Sequence, residues 1–233
     1  MKIAGFIPCS LNNYPDHLSF VIFSEGCNLK CPFCHNGHLI IENNLNKDIL
    51  SFEEFLSVLK SRKKIIDGIV FSGGEPLLWN DLIIWVEAAK SFGYSVKLDT
   101  NGTFPEKLDA LIKSDLLDYI AMDIKAPMSK YNLLAGVNID FKCILKSMDL
   151  ISQSSIMHEF RTTWIKKLLS VNDIKKIIEI VPYKSSYYLQ KFVFNENVID
   201  QSIVKSNTEI LLEEIKLITN HSISLDKKIM LRF

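Results

Sequence analysis

Residues 95–127 read SVKLDTNGTFPEKLDALIKSDLLDYIAMDIKAP. Ser95–Leu98 and Tyr119–Ile124 are short apolar runs of β type. Between them Pro105 opens a helical stretch with Leu108, Leu111 and Ile112 on one face. This strand–helix–strand unit recurs along the chain. Further β-type runs lie at Leu18–Phe23, Gly68–Phe71, Met157–Thr163 and Tyr187–Phe192. Amphipathic helices fall between them. One starts at a Ser51/Glu54 capping box and buries Phe52, Phe55, Leu56 and Leu59. Another pairs Leu82, Trp85, Val86 and Ala89 and stops at Gly93. Others carry Phe141, Ile144, Leu145 and Met148, then Ile174, Ile177, Ile178 and Val181 before Pro182, and a last one runs near Ile210–Thr219. Strands alternating with helices dictate a parallel sheet with right-handed crossovers. Six such units are fewer than the eight of a closed barrel, so the pattern predicts an α/β fold, an open partial (βα)6 TIM-like barrel with helices outside. Ligands in this architecture bind at the carboxyl ends of the strands. Polar clusters fall there: the loop after the first strand, Gly73–Glu75 after the second, Asp99–Gly102 after the third, Asp123 and Lys125 at the fourth, and Arg161 in the fifth.

The remaining composition narrows the class. The 233 residues suit one domain spanning 1–233, and no repeat or linker divides them. Lys plus Arg number 27 and Asp plus Glu number 27, so charge gives no case for a nucleic-acid partner. No apolar run approaches the roughly 18 residues of a membrane span. The first ten residues lack the apolar core and cleavage site of a signal peptide. A cytoplasmic location is the expectation. The chain has 5 cysteines, too few and too uneven for a disulfide framework.

Three of them are clustered in Gly26-Cys27-Asn28-Leu29-Lys30-Cys31-Pro32-Phe33-Cys34-His35-Asn36, a C-x3-C-x2-C spacing. Thiolates are the usual ligands of iron–sulfur clusters, and three of them hold three irons of a cubane while the fourth iron stays open to a ligand. Structural zinc takes four protein ligands, and His35 or His38 would supply a fourth, so spacing alone leaves zinc open. Cys9 and Cys143 are isolated and read as inert thiols. Trp79, Trp85 and Trp164 read as packing.

The cysteine loop after a first strand, with aromatic Phe33 just before the third cysteine, resembles the radical S-adenosylmethionine (SAM) superfamily. Ser72-Gly73-Gly74-Glu75-Pro76 resembles that family's GGEP element. Leu98-Asp99-Thr100-Asn101-Gly102 and Ala121-Met122-Asp123-Ile124-Lys125 are similar to elements of glycyl-radical enzyme activating enzymes. Within these, Tyr119–Pro127, Cys34-His35-Asn36, Gly5-Phe6-Ile7-Pro8 and the turn from Ser10 to Pro15 look closest to the activating proteins of anaerobic ribonucleoside-triphosphate reductase. The resemblance implies a 4Fe–4S cluster on Cys27, Cys31 and Cys34, and a SAM site beside Phe33, Gly73, Gly74, Glu75, Asp99, Asn101, Asp123, Lys125 and Arg161. Gly73 and Gly74 would let backbone approach the methionine amino group. Glu75 and Asp123 would accept from that ammonium, and Lys125 would face the carboxylate. Asp99 and Asp123, with carbonyls of Thr100 and Ala121, would hold a monovalent cation. Arg161 would point into the barrel, as a ligand contact or a structural ion pair. The implied partners are a glycyl-radical enzyme, in this reading the anaerobic ribonucleotide reductase, and a flavodoxin- or ferredoxin-like electron donor. Two alternatives accompany it. One is a radical SAM enzyme acting on another glycyl-radical enzyme or a small molecule, for which Arg161, Gln190 and Lys191 are the available anchors. The other is a non-catalytic metal-binding or electron-transfer protein.

Overall fold

The computed structural model describes residues 1–39, 49–194, 196–202 and 209–232. All its strands belong to one eight-stranded sheet, in chain order β1 to β8. They are β1 (Ile3–Ser10), β2 (Ser19–Ser24), β3 (Gly68–Gly73), β4 (Ser95–Thr100), β5 (Tyr119–Asp123), β6 (Met157–Trp164), β7 (Ser186–Lys191) and β8 (Ile229–Arg232). β1 runs antiparallel to β2, and every later neighbour pair is parallel. Among the described residues the α-helices with both ends defined are α1 (Phe52–Arg62), α2 (Leu82–Ser91), α3 (Pro105–Lys113), α4 (Tyr131–Ala135), α5 (Phe141–Gln153), α6 (Val171–Ile180) and α7 (Leu212–Ser224). β1 and β8 are the two edges, and the sheet is the open, partial barrel that the alternation predicts.

The six expected strands are β2 to β7. β1 and β8 are additions, and both are edge strands. Only one side of each is paired, so both carry mixed burial although their sequences, IAGFIPCS and IMLR, are largely apolar. α4 is a five-residue turn of helix, too short for a periodic signal. The expected helix ends hold. Glu54 N–H donates to Ser51 Oγ (3.2 Å) while Ser51 N–H donates to Glu54 Oε2 (2.7 Å), and Gly93 follows α2 at φ +77°.

Two apolar clusters occupy the two faces of the sheet. The larger packs strands against helices, with Phe55 stacked on Trp85 (5.0 Å between ring centroids) and Trp164 fully buried. The smaller, Tyr14, Val21, Val70, Tyr119 and Ala121, lies on the inner face. Tyr14 comes from the β1–β2 turn, so that turn plugs the barrel at the amino ends of its strands. The opposite mouth stays polar and open.

Candidate functional site

Side chains alternate along a strand, so residues two apart share the inner face. Lys97 and Asp99 on β4, Tyr119, Ala121 and Asp123 on β5, and Glu159, Arg161 and Thr163 on β6 therefore face inward, above the apolar plug. Over them lies a cavity of about 360 Å³, lined by every site residue that the sequence singles out: Cys27, Cys31, Phe33, Cys34, Gly73, Gly74, Glu75, Asp99, Asn101, Asp123, Lys125 and Arg161. Gln190 also reaches it, whereas Lys191 is exposed and outside. Sequence reading passed over Asn13, Ser72 and Thr163 as lining residues. The period-2 pattern that places Arg161 inward would also have found Thr163.

The cysteine loop is clamped on three sides. Gly74 N–H donates to Ser24 O (3.0 Å) and Glu75 N–H to Gly26 O (2.9 Å), joining it to the turn after β3. A Cβ on Gly74 would lie 1.8 Å from Gly26 O, and one on Gly73, at φ +117°, would lie 2.3 Å from Ser24 N. Backbone packing against the start of the loop by itself demands both glycines, in addition to the ligand approach that sequence reasoning assigned them. Asn101 was expected at SAM. Its amide donates to Asn28 Oδ1 (3.0 Å) and points at Cys27 Sγ (3.7 Å), so it holds the loop from the β4 side. On the third side Lys30 N–H donates to Ala135 O of α4 (2.8 Å).

Glu75 was expected to receive an ammonium. Its carboxylate is fully buried and accepts from Leu77 N–H (3.1 Å), Thr100 Oγ1 (2.9 Å) and Asn101 N–H (2.7 Å). It cross-links the turns after β3 and β4. Burial pushes its pKa up to about 7 against these donors.

Below the cavity runs a belt of charges. Asp99 accepts from Lys97 Nζ (2.7 Å), Ser72 Oγ (2.9 Å) and Arg161 Nη1 (3.5 Å). Asp123 accepts from Arg161 Nε (2.8 Å) and Lys125 Nζ (3.0 Å). Burial alone would raise both carboxyl pKa values. The neighbouring cations, Lys97 and Arg161 at Asp99, Arg161 and Lys125 at Asp123, outweigh it and hold both groups below the usual range. Arg161 is therefore ion-paired while still lining the cavity. Both aspartates are paired with the chain's own cations. Deeper still, Arg232 of β8 grips Glu159 through two bonds (2.7 and 3.0 Å), and Tyr119 donates to the same carboxylate (3.0 Å). Lys97 and Glu159, both almost fully buried, carried no sequence signal beyond interrupting apolar strands.

Burial raises the thiol pKa values of Cys27 and Cys31, to about 12 and about 11, and also that of Cys34. His35 stacks on Phe192 (4.9 Å) and His38 is exposed. Among the described residues, no three His, Cys, Asp or Glu side chains converge on one point as a single ion requires.

Comparison with known proteins agrees with this geometry. The radical SAM superfamily profile matches residues 21–181. A Methanocaldococcus jannaschii protein named "Putative glycyl-radical enzyme activating enzyme" is 38% identical over 196 residues, 82% of this chain and 79% of its own length. The pyruvate formate-lyase 1-activating enzyme of Escherichia coli is 27% identical over 135 residues, 53% of this chain and 52% of its own. Among solved structures, SAM-bound SuiB of Streptococcus suis shares the fold with TM-score 0.69 at 15% identity, over 91% of this chain and 49% of that one. This chain thus spans about half of that larger protein. A domain of pyruvate-formate lyase-activating enzyme from Bacteroides vulgatus aligns with TM-score 0.52 at 18% identity, over 71% of this chain and 99% of that domain. The chain belongs to the radical SAM superfamily and, within it, to the glycyl-radical enzyme activating enzymes, a family that works with a 4Fe–4S cluster and SAM.

Proposed function

We propose that this protein is a single-domain, cytoplasmic activase that generates a glycyl radical on an anaerobic ribonucleoside-triphosphate reductase. The observation that carries the reading is the convergence of the three cysteines, the GGEP turn and the Asp99, Asp123 and Lys125 elements on one cavity wall. Its donors fit the cofactors. Three thiols at C-x3-C-x2-C spacing on one loop, all lining the cavity, suit three corners of a cubane. The cavity volume falls within the range of small-ligand pockets. When bound, the reduced cluster and SAM supply a carbon radical able to take a hydrogen atom from glycine.

The chain's own residues bind, orient and exclude water. Cys27, Cys31 and Cys34 hold the cluster as thiolates, so loading releases protons from thiols that burial keeps protonated. Lys125, turned to the cavity while tied to Asp123, offers its ammonium to the SAM carboxylate. Phe33, buried beside Cys34, supplies an apolar wall for the adenine. Glu75 and Asn101, both at the cavity, also keep the loops in register. The electron comes from a flavodoxin- or ferredoxin-like donor.

A protein acceptor is supported by the rim around the cavity. Met128 (72% exposed) and Leu133 (68%) follow β5, while Val193 (66%) and Phe194 (49%) follow β7. Large exposed apolar side chains at a catalytic mouth suit docking of a macromolecule. The choice of reductase rests on the sequence resemblance at Tyr119–Pro127 and the amino-terminal turn. The test mixes reduced protein, SAM and the reductase without oxygen. Electron paramagnetic resonance is expected to show a glycyl doublet on the reductase, lost when its radical glycine is changed to Ala. Consumption of SAM with conversion of a small metabolite and no glycyl signal would sink the assignment.

A further inference from the structure

Thr163 of β6 and Gln190 of β7 stand side by side in the parallel register of the two strands. Residues alternate along β7, so Leu189 is buried in the larger apolar cluster while Gln190, like Thr163, faces the cavity. Both are half-buried. Neither side chain has a hydrogen-bond partner among the described residues. The amides and hydroxyls elsewhere on the wall are engaged within the chain. Asn13 accepts from Ser10 (2.6 Å), and Asn36 donates to Gly73 O (3.2 Å). Ser72 donates to Asp99 (2.9 Å), Thr100 to Glu75 (2.9 Å) and Asn101 to Asn28 (3.0 Å).

The nearby charges are engaged as well. Arg161 pairs with Asp123 and Asp99, Lys125 pairs with Asp123, and Lys191 lies outside the cavity. A small ionic substrate finds no uncommitted charge at this end of the wall, whereas an uncharged peptide group finds its counterpart. The Gln190 carboxamide carries an acceptor oxygen and a donor NH2, the complement of a backbone N–H and C=O. The Thr163 hydroxyl donates or accepts. A glycine, having no Cβ, lets its main chain come closest to such a pair. In strand order β3 to β6 separate β7 from β2, whose following loop carries the cysteines, so the pair stands far from that loop along the sheet. Val193 and Phe194 of the exposed apolar rim follow directly after β7, which makes the pair continuous with the surface that suits a macromolecule.

We propose that Thr163 and Gln190 form a peptide-backbone subsite, which hydrogen-bonds the main chain of the partner protein at the glycine that gives up its hydrogen. The inference rests on the activase reading and names the part of the partner that the cavity recognises: uncharged main-chain amides, with apolar side chains held by the rim.

The test measures binding of the reductase to reconstituted protein with SAM but without reductant, so that binding is read apart from chemistry. Gln190→Met and Thr163→Val keep the side-chain shape and remove the polar atoms. Each should bind the reductase roughly tenfold more weakly, the effect of one hydrogen bond lost at a desolvated contact. SAM affinity in calorimetry and iron content should stay at wild-type values. Thr163→Ser, which keeps the hydroxyl, should bind the reductase as wild type does. If Gln190→Met does not fold, the two Thr163 variants decide alone. Unchanged binding of the reductase by Gln190→Met and Thr163→Val overturns the subsite. Lost SAM affinity with unchanged binding of the reductase also overturns it and assigns the pair to the cofactor. Either result leaves the activase reading intact if the reduced wild type still forms the glycyl doublet. A wild type that forms no doublet on the reductase overturns that reading and the subsite with it.

Discussion

Gly74→Ala separates two reasons for a glycine-rich turn. If the glycine exists for close approach of SAM, the empty protein should tolerate a methyl group and only ligand affinity should suffer. The structure argues otherwise. The added Cβ would sit 1.8 Å from Gly26 O and 2.5 Å from Gly26 C, both backbone atoms. Real Cβ atoms essentially never come within 3.0 Å, so one strand of backbone must move past the other by about 1.2 Å. That movement breaks the bonds from Gly74 N–H to Ser24 O and from Glu75 N–H to Gly26 O. Two lost backbone bonds cost about 1 kcal/mol each. Overpacking adds about 1–3 kcal/mol. The expected loss is about 3–5 kcal/mol in the protein without cofactors, a fall in Tm on the order of 10 °C for a chain of this size. Urea and thermal unfolding of the apoprotein measure it, and iron content after anaerobic reconstitution reports the displaced loop. An apoprotein variant as stable as wild type would refute the packing argument. If SAM affinity alone dropped, the ligand explanation would take its place.

Further outcomes follow from the same geometry. Cys27→Ala, Cys31→Ala and Cys34→Ala should each abolish a brown cluster of about four irons, whereas Cys9→Ala and Cys143→Ala should keep it. Stoichiometric zinc in anaerobically purified wild type, without iron uptake, would contradict this. Lys125→Ala should leave the cluster in place, because Asp123 keeps its bond to Arg161. It should weaken SAM binding by about 2–5 kcal/mol in calorimetry, the loss expected for a desolvated charge pair; unchanged affinity removes Lys125 from the site. Arg161→Met strips one cation from both Asp99 and Asp123 and should cost about 3–5 kcal/mol in urea unfolding. A loss under about 1 kcal/mol would show the belt to be solvated. The folded-state pKa values of both aspartates lie below the unfolded value, so their stabilisation is present above about pH 4 and is lost as pH falls below it. Arg161→Met should flatten that acid limb, and an unaltered slope would rule out the pairing as its source.

Some residues were legible before any fold was known because their signal is local. Ser51 and Glu54 cap α1 through atoms three residues apart, and Pro105 and Gly93 act within one turn. The cysteine spacing and the order of polar clusters at strand ends likewise lie along the chain. Arg161 was readable as inward because alternation along β6 needs no partner. Its occupation by Asp99 and Asp123, from two other strands, was not readable. Lys97 and Glu159 looked like blemishes in strands and are buried members of the charge belt.

The sequence by itself determined the alternating α/β order, the strands that form the barrel's middle, and the loops that carry the chemistry, because periodicity and short motifs act over a few bonds. Only the tertiary structure revealed what Gly74, Glu75 and Asn101 contact within the chain. Each acts on a segment distant in sequence: Gly74 on Gly26, Glu75 on Thr100 and Asn101, Asn101 on Asn28 and Cys27. A motif alone cannot show whether its glycine makes room for a ligand or for another backbone, since both demand a missing Cβ. The distance of a would-be Cβ from the facing carbonyl distinguishes them, and that distance exists only once the strands are side by side.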